Sequence, residues 1–144
     1  MRLAADRVGV RISPGNPYNG MDPADPAAIF APFLDGANAM GLAYLHVLDM
    51  GLADLDTLGF CRAHWSGPII ANNMLTLESG TALVEAGRAD AVSFGRAFIA
   101  NPDLVARFKV GARAGQAGLQ LALYGGRTRL HRLSADGVTQ YPPS

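Results

Sequence analysis

A chain of 144 residues holds one domain at most, or a piece of a larger one. Its 12 lysines and arginines balance 12 acidic residues, and the formal net charge of zero excludes the basic face of a nucleic-acid binder and a polybasic membrane anchor. Charged residues make up only 17% against 49% apolar, so core material is ample and another surface is expected to cover part of the chain.

No run approaches the ~18 apolar residues of a membrane-spanning helix. A single cysteine, Cys61, excludes an internal disulfide framework and fits a reducing, cytoplasmic setting. Residues 1–6 carry no apolar segment or cleavage site of a secretory signal. The first strand is expected almost at once, as in the second part of a longer fold.

Val8, Val10 and Ile12 lie in a short strand over residues 8–13, stopped by Pro14 and Gly15. A loop rich in Pro, Gly, Asn and Asp follows. Asp25 and Pro26 form a helix start, with Asp as the cap and Pro at the first helical position. Phe30, Phe33, Leu34 and Ala37 then recur at helical spacing, and Gly41 ends the helix. Pro32 costs ~3 kcal/mol inside a helix, so a kink or a later start is expected there. A second strand covers residues 43–48, and residues 49–66 hold a loop with a short helix.

Ile69, Ile70 and Ala71 are the third strand. Thr76 caps the next helix with Glu78 in its first turn, and Gly87 stops it. A fourth strand covers residues 89–94. Asn101, Pro102 and Asp103 read as another helix start, sending Leu104, Val105 and Phe108 toward the core. Residues 111–144, rich in Gly and Arg, do not read as regular elements.

Strands near 8, 43, 68 and 90 alternate with helices, which predicts a parallel sheet in an α/β fold. Two architectures meet that pattern. One is a small doubly wound sheet; the other is about half of a (β/α)8 barrel, which needs ~250 residues.

Arg11 stands near the end of the first strand. A guanidinium cannot shed its proton, so it is either salt-bridged within the fold or faces an anionic ligand. Gly95 and Arg96 follow the fourth strand. Gly95 admits a close backbone approach, and Arg96 can meet a phosphate with paired donors. A short helical turn after them would add backbone N–H groups. Asn72, Asn73 and Met74 follow the third strand, either as backbone donors to the same phosphate or as an ordinary turn in which Asn tolerates a left-handed conformation. His46, His64 and His131 lack metal-ligand spacing, and no metal site is expected. His46 reads as a satisfied core or cofactor-edge residue, and Cys61 as structural. No nucleophile elbow, P-loop or dinucleotide fingerprint is present.

The segments Arg7-Val8-Gly9-Val10-Arg11-Ile12-Ser13-Pro14, Tyr44-Leu45-His46 and Asp90-Ala91-Val92-Ser93-Phe94-Gly95-Arg96, with Ile99-Ala100-Asn101-Pro102-Asp103-Leu104, resemble the old yellow enzyme family. The resemblance implies strands five to eight of a (β/α)8 barrel over residues 1–126, with an irregular tail over 127–144. It implies FMN as cofactor, NAD(P)H as reductant, and hydride transfer to the activated alkene of a small-molecule substrate. By resemblance, Arg11 lies beside the flavin pyrimidine edge, Gly95 and Arg96 bind the phosphate, and Asn72 and Asn73 stand where the family usually has glycine. Tyr124 resembles part of the active-site wall. The family motifs that polarise and protonate the substrate belong to the other half and do not occur here. The chain is therefore expected to be inactive alone and to associate with an N-terminal half-barrel chain or with itself. The alternative is a non-catalytic remnant or a phosphate-binding half-barrel module.

Overall fold

The structure, a computed structural model, describes residues 4–18, 25–51 and 55–111. The chain divides into two compact units, Met1–Ser93 and Phe94–Ser144.

In the first unit four parallel strands lie side by side in chain order: β1 (Gly9–Ile12), β2 (Tyr44–Leu48), β3 (Ile69–Asn72) and β4 (Ala91–Ser93). Between them run α1 (Pro26–Ala39), α2 (Thr57–His64) and α3 (Leu77–Glu85). This is the α/β alternation that the sequence spacing predicts, an arrangement matching part of a (β/α) barrel.

Local chemistry starts and stops these helices. The Asp25 carboxylate accepts from Ala28 N at 3.0 Å, with Pro26 opening α1. Asp56 does the same for α2 through Gly59 N. At α3 the Thr76 hydroxyl accepts from Ser79 N while the Ser79 hydroxyl accepts from Thr76 N, a reciprocal box. Gly41 and Gly87 take φ of +66° and +67° just past α1 and α3, where a side chain would be strained. Pro32 neither begins nor ends α1, which runs through it. The bond that proline removes is offset by the burial of Leu34 and Ala37 in the following turns.

Side chains alternate across a strand, so each strand has two fates. Ile12, Leu45, Val47, Ile69 and Ala71 point to one face and are buried. Leu34 and Ala37 of α1 and Leu58 and Cys61 of α2 complete that core, with Trp65 and Ala89. The opposite face carries Arg11, Tyr44, His46, Leu48, Ile70, Asn72, Ala91 and Ser93, none of them buried.

The N-terminal ends of the strands are tied by polar contacts. Asp90, just before β4, accepts from Ile69 N at 2.8 Å and pairs with Arg62 at 2.7 Å. Trp65 Nε1 donates to Pro68 O, and His64 meets Asp35 at 2.8 Å. Asp56, the cap of α2, pairs with Arg88.

The described part of the second unit holds α4 (Arg96–Ala100) and α5 (Leu104–Lys109). Phe94 and Phe108 meet edge to face, ring centroids 5.1 Å apart. Two expectations need correction here. Asn101 does not cap α5: it ends α4, fully buried, and its Nδ2 donates back to Ala97 O at 2.9 Å. Asp103 precedes α5 and pairs with Arg107 one turn on. Val105 is 54% exposed rather than in the core, because a helix this short has one inward face and Leu104 occupies it.

Candidate functional site

Arg11 sits one residue before the end of β1, exposed, on the open face of the sheet. Its register partner on β2 is His46, and both side chains leave the sheet on the same side. Two residues further along the strands, Leu48, Asn72 and Ser93 line up across β2, β3 and β4. This alignment brings four polar side chains from four strands together near the C-terminal edge.

They are bonded in sequence. Arg11 Nη2 donates to Asn72 Oδ1 at 3.1 Å. Asn72 Nδ2 donates to Ser93 O at 2.9 Å and to Ser93 Oγ at 3.0 Å. Ser93 Oγ shares a 2.9 Å bond with His46 Nε2. The Ser93 hydroxyl accepts from the Asn72 amide and keeps a second lone pair and its own proton for the contact with His46. Burial lowers the His46 pKa below its ordinary value, and the Arg11 charge lowers it further. A fixed positive charge thus stands beside a neutral imidazole.

The salt-bridge reading of Arg11 is not what the structure shows. Its side-chain partner among the described residues is a neutral amide, and the other N–H groups of the fork remain to meet an acceptor.

The loop after β3 is the left-handed turn that one of its two readings expects. Asn73 and Met74 have φ of +108° and +51°, the left-handed side that asparagine tolerates better than most residues. The Asn73 side chain is spent on Asp49 O at 2.7 Å, binding this loop to the one after β2. A hollow of about 230 Å³ lies beside these loops, walled by Asp49, Leu58, Ala71, Asn72, Asn73 and Leu83 among others. It is smaller than an ordinary ligand pocket and does not include Arg11.

Gly95 and Arg96 belong to the second unit, Gly95 as the residue before α4 and Arg96 as its first. Gly95 has φ −90°, which any residue adopts, and a Cβ there would meet no atom within 4 Å. Neither backbone strain nor the described packing requires glycine. Gly9 differs: a Cβ would strike the Tyr44 ring, so packing explains it. Tyr124 and the proposed boundary at 126 lie outside the described residues. Cys61 is fully buried and its thiol is pushed up to about 12, chiefly by burial, which fits a structural residue. Among the described residues no group of three or more metal-ligating side chains occurs. No helix among them is long and apolar enough to cross a membrane.

Ser93 is a site residue that the local sequence does not single out. Its role depends on the β3–β4 register, and only the apolar lengths of the strands could have pointed to that register.

Comparison with known proteins places this geometry. The family model described as "NADH:flavin oxidoreductase / NADH oxidase family" matches residues 1–114. A 12-oxophytodienoate reductase 2 of Arabidopsis thaliana is 32% identical over 117 residues, which cover 76% of the chain and 31% of that protein. A probable flavin mononucleotide-dependent alkene reductase of Leishmania infantum is 35% identical over 112 residues, with the same two coverages. The solved old yellow enzyme from Trypanosoma cruzi superposes with a TM-score of 0.71 at 38% identity, over 77% of this chain and 30% of that one. The chain thus spans about a third of the length of the curated relatives it matches.

Proposed function

The chain belongs to the NADH:flavin oxidoreductase / NADH oxidase family, that of the old yellow enzymes, and from that premise we propose that it is the FMN-holding part of an alkene reductase. In this reading its strands are strands five to eight of a (β/α)8 barrel, residues 1–126 are the half-barrel, and residues 127–144 are a tail. It acts in the cytoplasm on a small-molecule substrate, with NAD(P)H as reductant.

One observation carries the proposal: Arg11 stands on the open face at the C-terminal edge of a parallel sheet, with donors left over and a neutral histidine beside it. That edge is where barrels of this class place their chemistry. The donor set fits FMN. A permanent guanidinium suits the electron-rich pyrimidine edge of a flavin, and an unneeded glycine followed by arginine suits a phosphate. FMN, when bound, supplies the ring that takes hydride from NAD(P)H and delivers it to an activated alkene.

The residues of the chain have separate tasks in this reading. Arg11 holds positive charge where negative charge builds up on reduction, a stabilisation that needs no reorganisation. His46 stays neutral, so it adds no second cation and gives up no proton at neutral pH. Gly95 lets the phosphate reach the backbone, and Arg96 grips it with two donors. Asn73 offers its backbone N–H as a phosphate donor. The rest of the barrel wall comes from further strands, supplied by an N-terminal half-barrel chain or a second copy.

The test is a fluorescence titration of the full chain with FMN, followed by anaerobic NADPH. Quenching of the flavin is expected, weakened at least tenfold by Arg11→Met, and then bleaching of the flavin band without turnover of an enone by this chain alone. Absence of binding, or indifference to Arg11→Met, overturns the proposal. Coverage of only 31% of the relatives favours a second reading, a non-catalytic phosphate-binding half-barrel module. Binding without bleaching would select it.

A further inference from the structure

We infer that Asn72 is a positioning residue: its side-chain amide bridges Arg11 to Ser93 and holds the guanidinium in place over the open face of the sheet. The inference rests on the reading that Arg11 faces a bound flavin, and it concerns how that charge is kept there.

An arginine on an exposed strand face has a long stem and many rotamers, and much side-chain entropy to lose on ordering. A freely moving guanidinium stabilises developing charge poorly, since it must be gathered at the moment of reaction. Here the stem is anchored at one end by β1 and the fork is caught at the other by Asn72 Oδ1, 61 residues along the chain.

The anchor is itself fixed. Asn72 is the last residue of β3, in register with Ser93 of β4. Its Nδ2 donates to both Ser93 O and Ser93 Oγ. The amide therefore has one favourable orientation. Turned over, it would set an NH2 group against the guanidinium and leave the Ser93 carbonyl facing an oxygen. The correct orientation aims Oδ1 at Arg11.

The chemistry of the bridge is also selective. A neutral amide orients the guanidinium without cancelling its charge. A carboxylate at position 72 would bind Arg11 more strongly and neutralise it, which would defeat a site that needs net positive potential. The choice of amide over acid fits a charge meant for something else.

The test has two arms, both on the full chain. The first uses no cofactor: 15N relaxation of the Arg11 Nε–Hε group, in wild type and in Asn72→Ala. Restricted motion is expected in wild type and fast motion in the variant, with the strand amide spectrum unchanged. Equal mobility in the two overturns the inference, whatever FMN does. Should Asn72→Ala disturb the strand spectrum, Asn72→Ser keeps a small polar side chain too short to bridge, and the same comparison decides.

The second arm measures FMN affinity and the reduction potential of bound FMN in a cycle of Asn72→Ala and Arg11→Met. Asn72→Ala should weaken FMN binding about fivefold and lower the potential in the wild-type background. In the Arg11→Met background it should do neither, because there is no guanidinium left to place. Equal effects in both backgrounds overturn positioning in favour of a separate contact. Failure of wild type to bind FMN overturns the flavin reading and the role assigned to the bridge, while the relaxation arm still reports on the bridge itself.

Discussion

A histidine whose nearest charged neighbour is a guanidinium resists protonation. His46 illustrates this on β2, where burial and then Arg11 lower its pKa and the Ser93 hydroxyl occupies Nε2. The consequence for stability has a definite sign. The unfolded chain takes up the proton near the ordinary value of 6.5, while the folded chain takes it up only at lower pH. Between those values the unfolded state binds more protons, so stability falls as pH drops below 6.5 and is fully present above it. The expected result is a His46 titration midpoint below 6.5 by NMR. In His46→Gln, urea midpoints measured between pH 7.5 and 5 should fall less than in wild type. A midpoint above 6.5 would show that Arg11 is not beside the ring.

Among the elements, the caps were the most legible part of the sequence. Asp25-Pro26, Thr76 and the terminal glycines Gly41 and Gly87 each act within one turn of their own position, so a local pattern suffices to read them. Removing one should cost what a cap is worth. Thr76→Ala is expected to destabilise the chain by about 1 kcal/mol, read as a lower urea midpoint with unchanged slope. Thr76→Ser should recover most of the loss. Other features could not be read locally. The burial of Asn101 and the exposure of Val105 depend on where a six-residue helix turns its single inward face. The bond between Ser93 and His46 spans 47 residues and exists because two strands lie either side of β3 in a particular register. Arg11 was legible as a costly charge needing a partner, but not that its partner would be the neutral amide of Asn72.

For the whole molecule, the first unit has one sheet face packed and one open, and its outer strands β1 and β4 each have an edge with no strand partner among the described residues. Such edges are templates for further pairing. The chain on its own is therefore expected to self-associate in a concentration-dependent way by light scattering. Co-expression with a segment carrying the remaining barrel strands should suppress that association. A monodisperse monomer up to high concentration would argue that the edges are capped from within the chain.

The two ends of the strands are built from different materials. Asp90, Arg62 and Trp65 knit the N-terminal end, whereas Arg11, His46, Asn72 and Ser93 gather toward the other. Residues at the two ends share few partners, so changes at one should combine almost independently with changes at the other. A laboratory seeking new catalysts could harden the base of this scaffold first, then randomise the upper rim with a reserve of robustness already in hand.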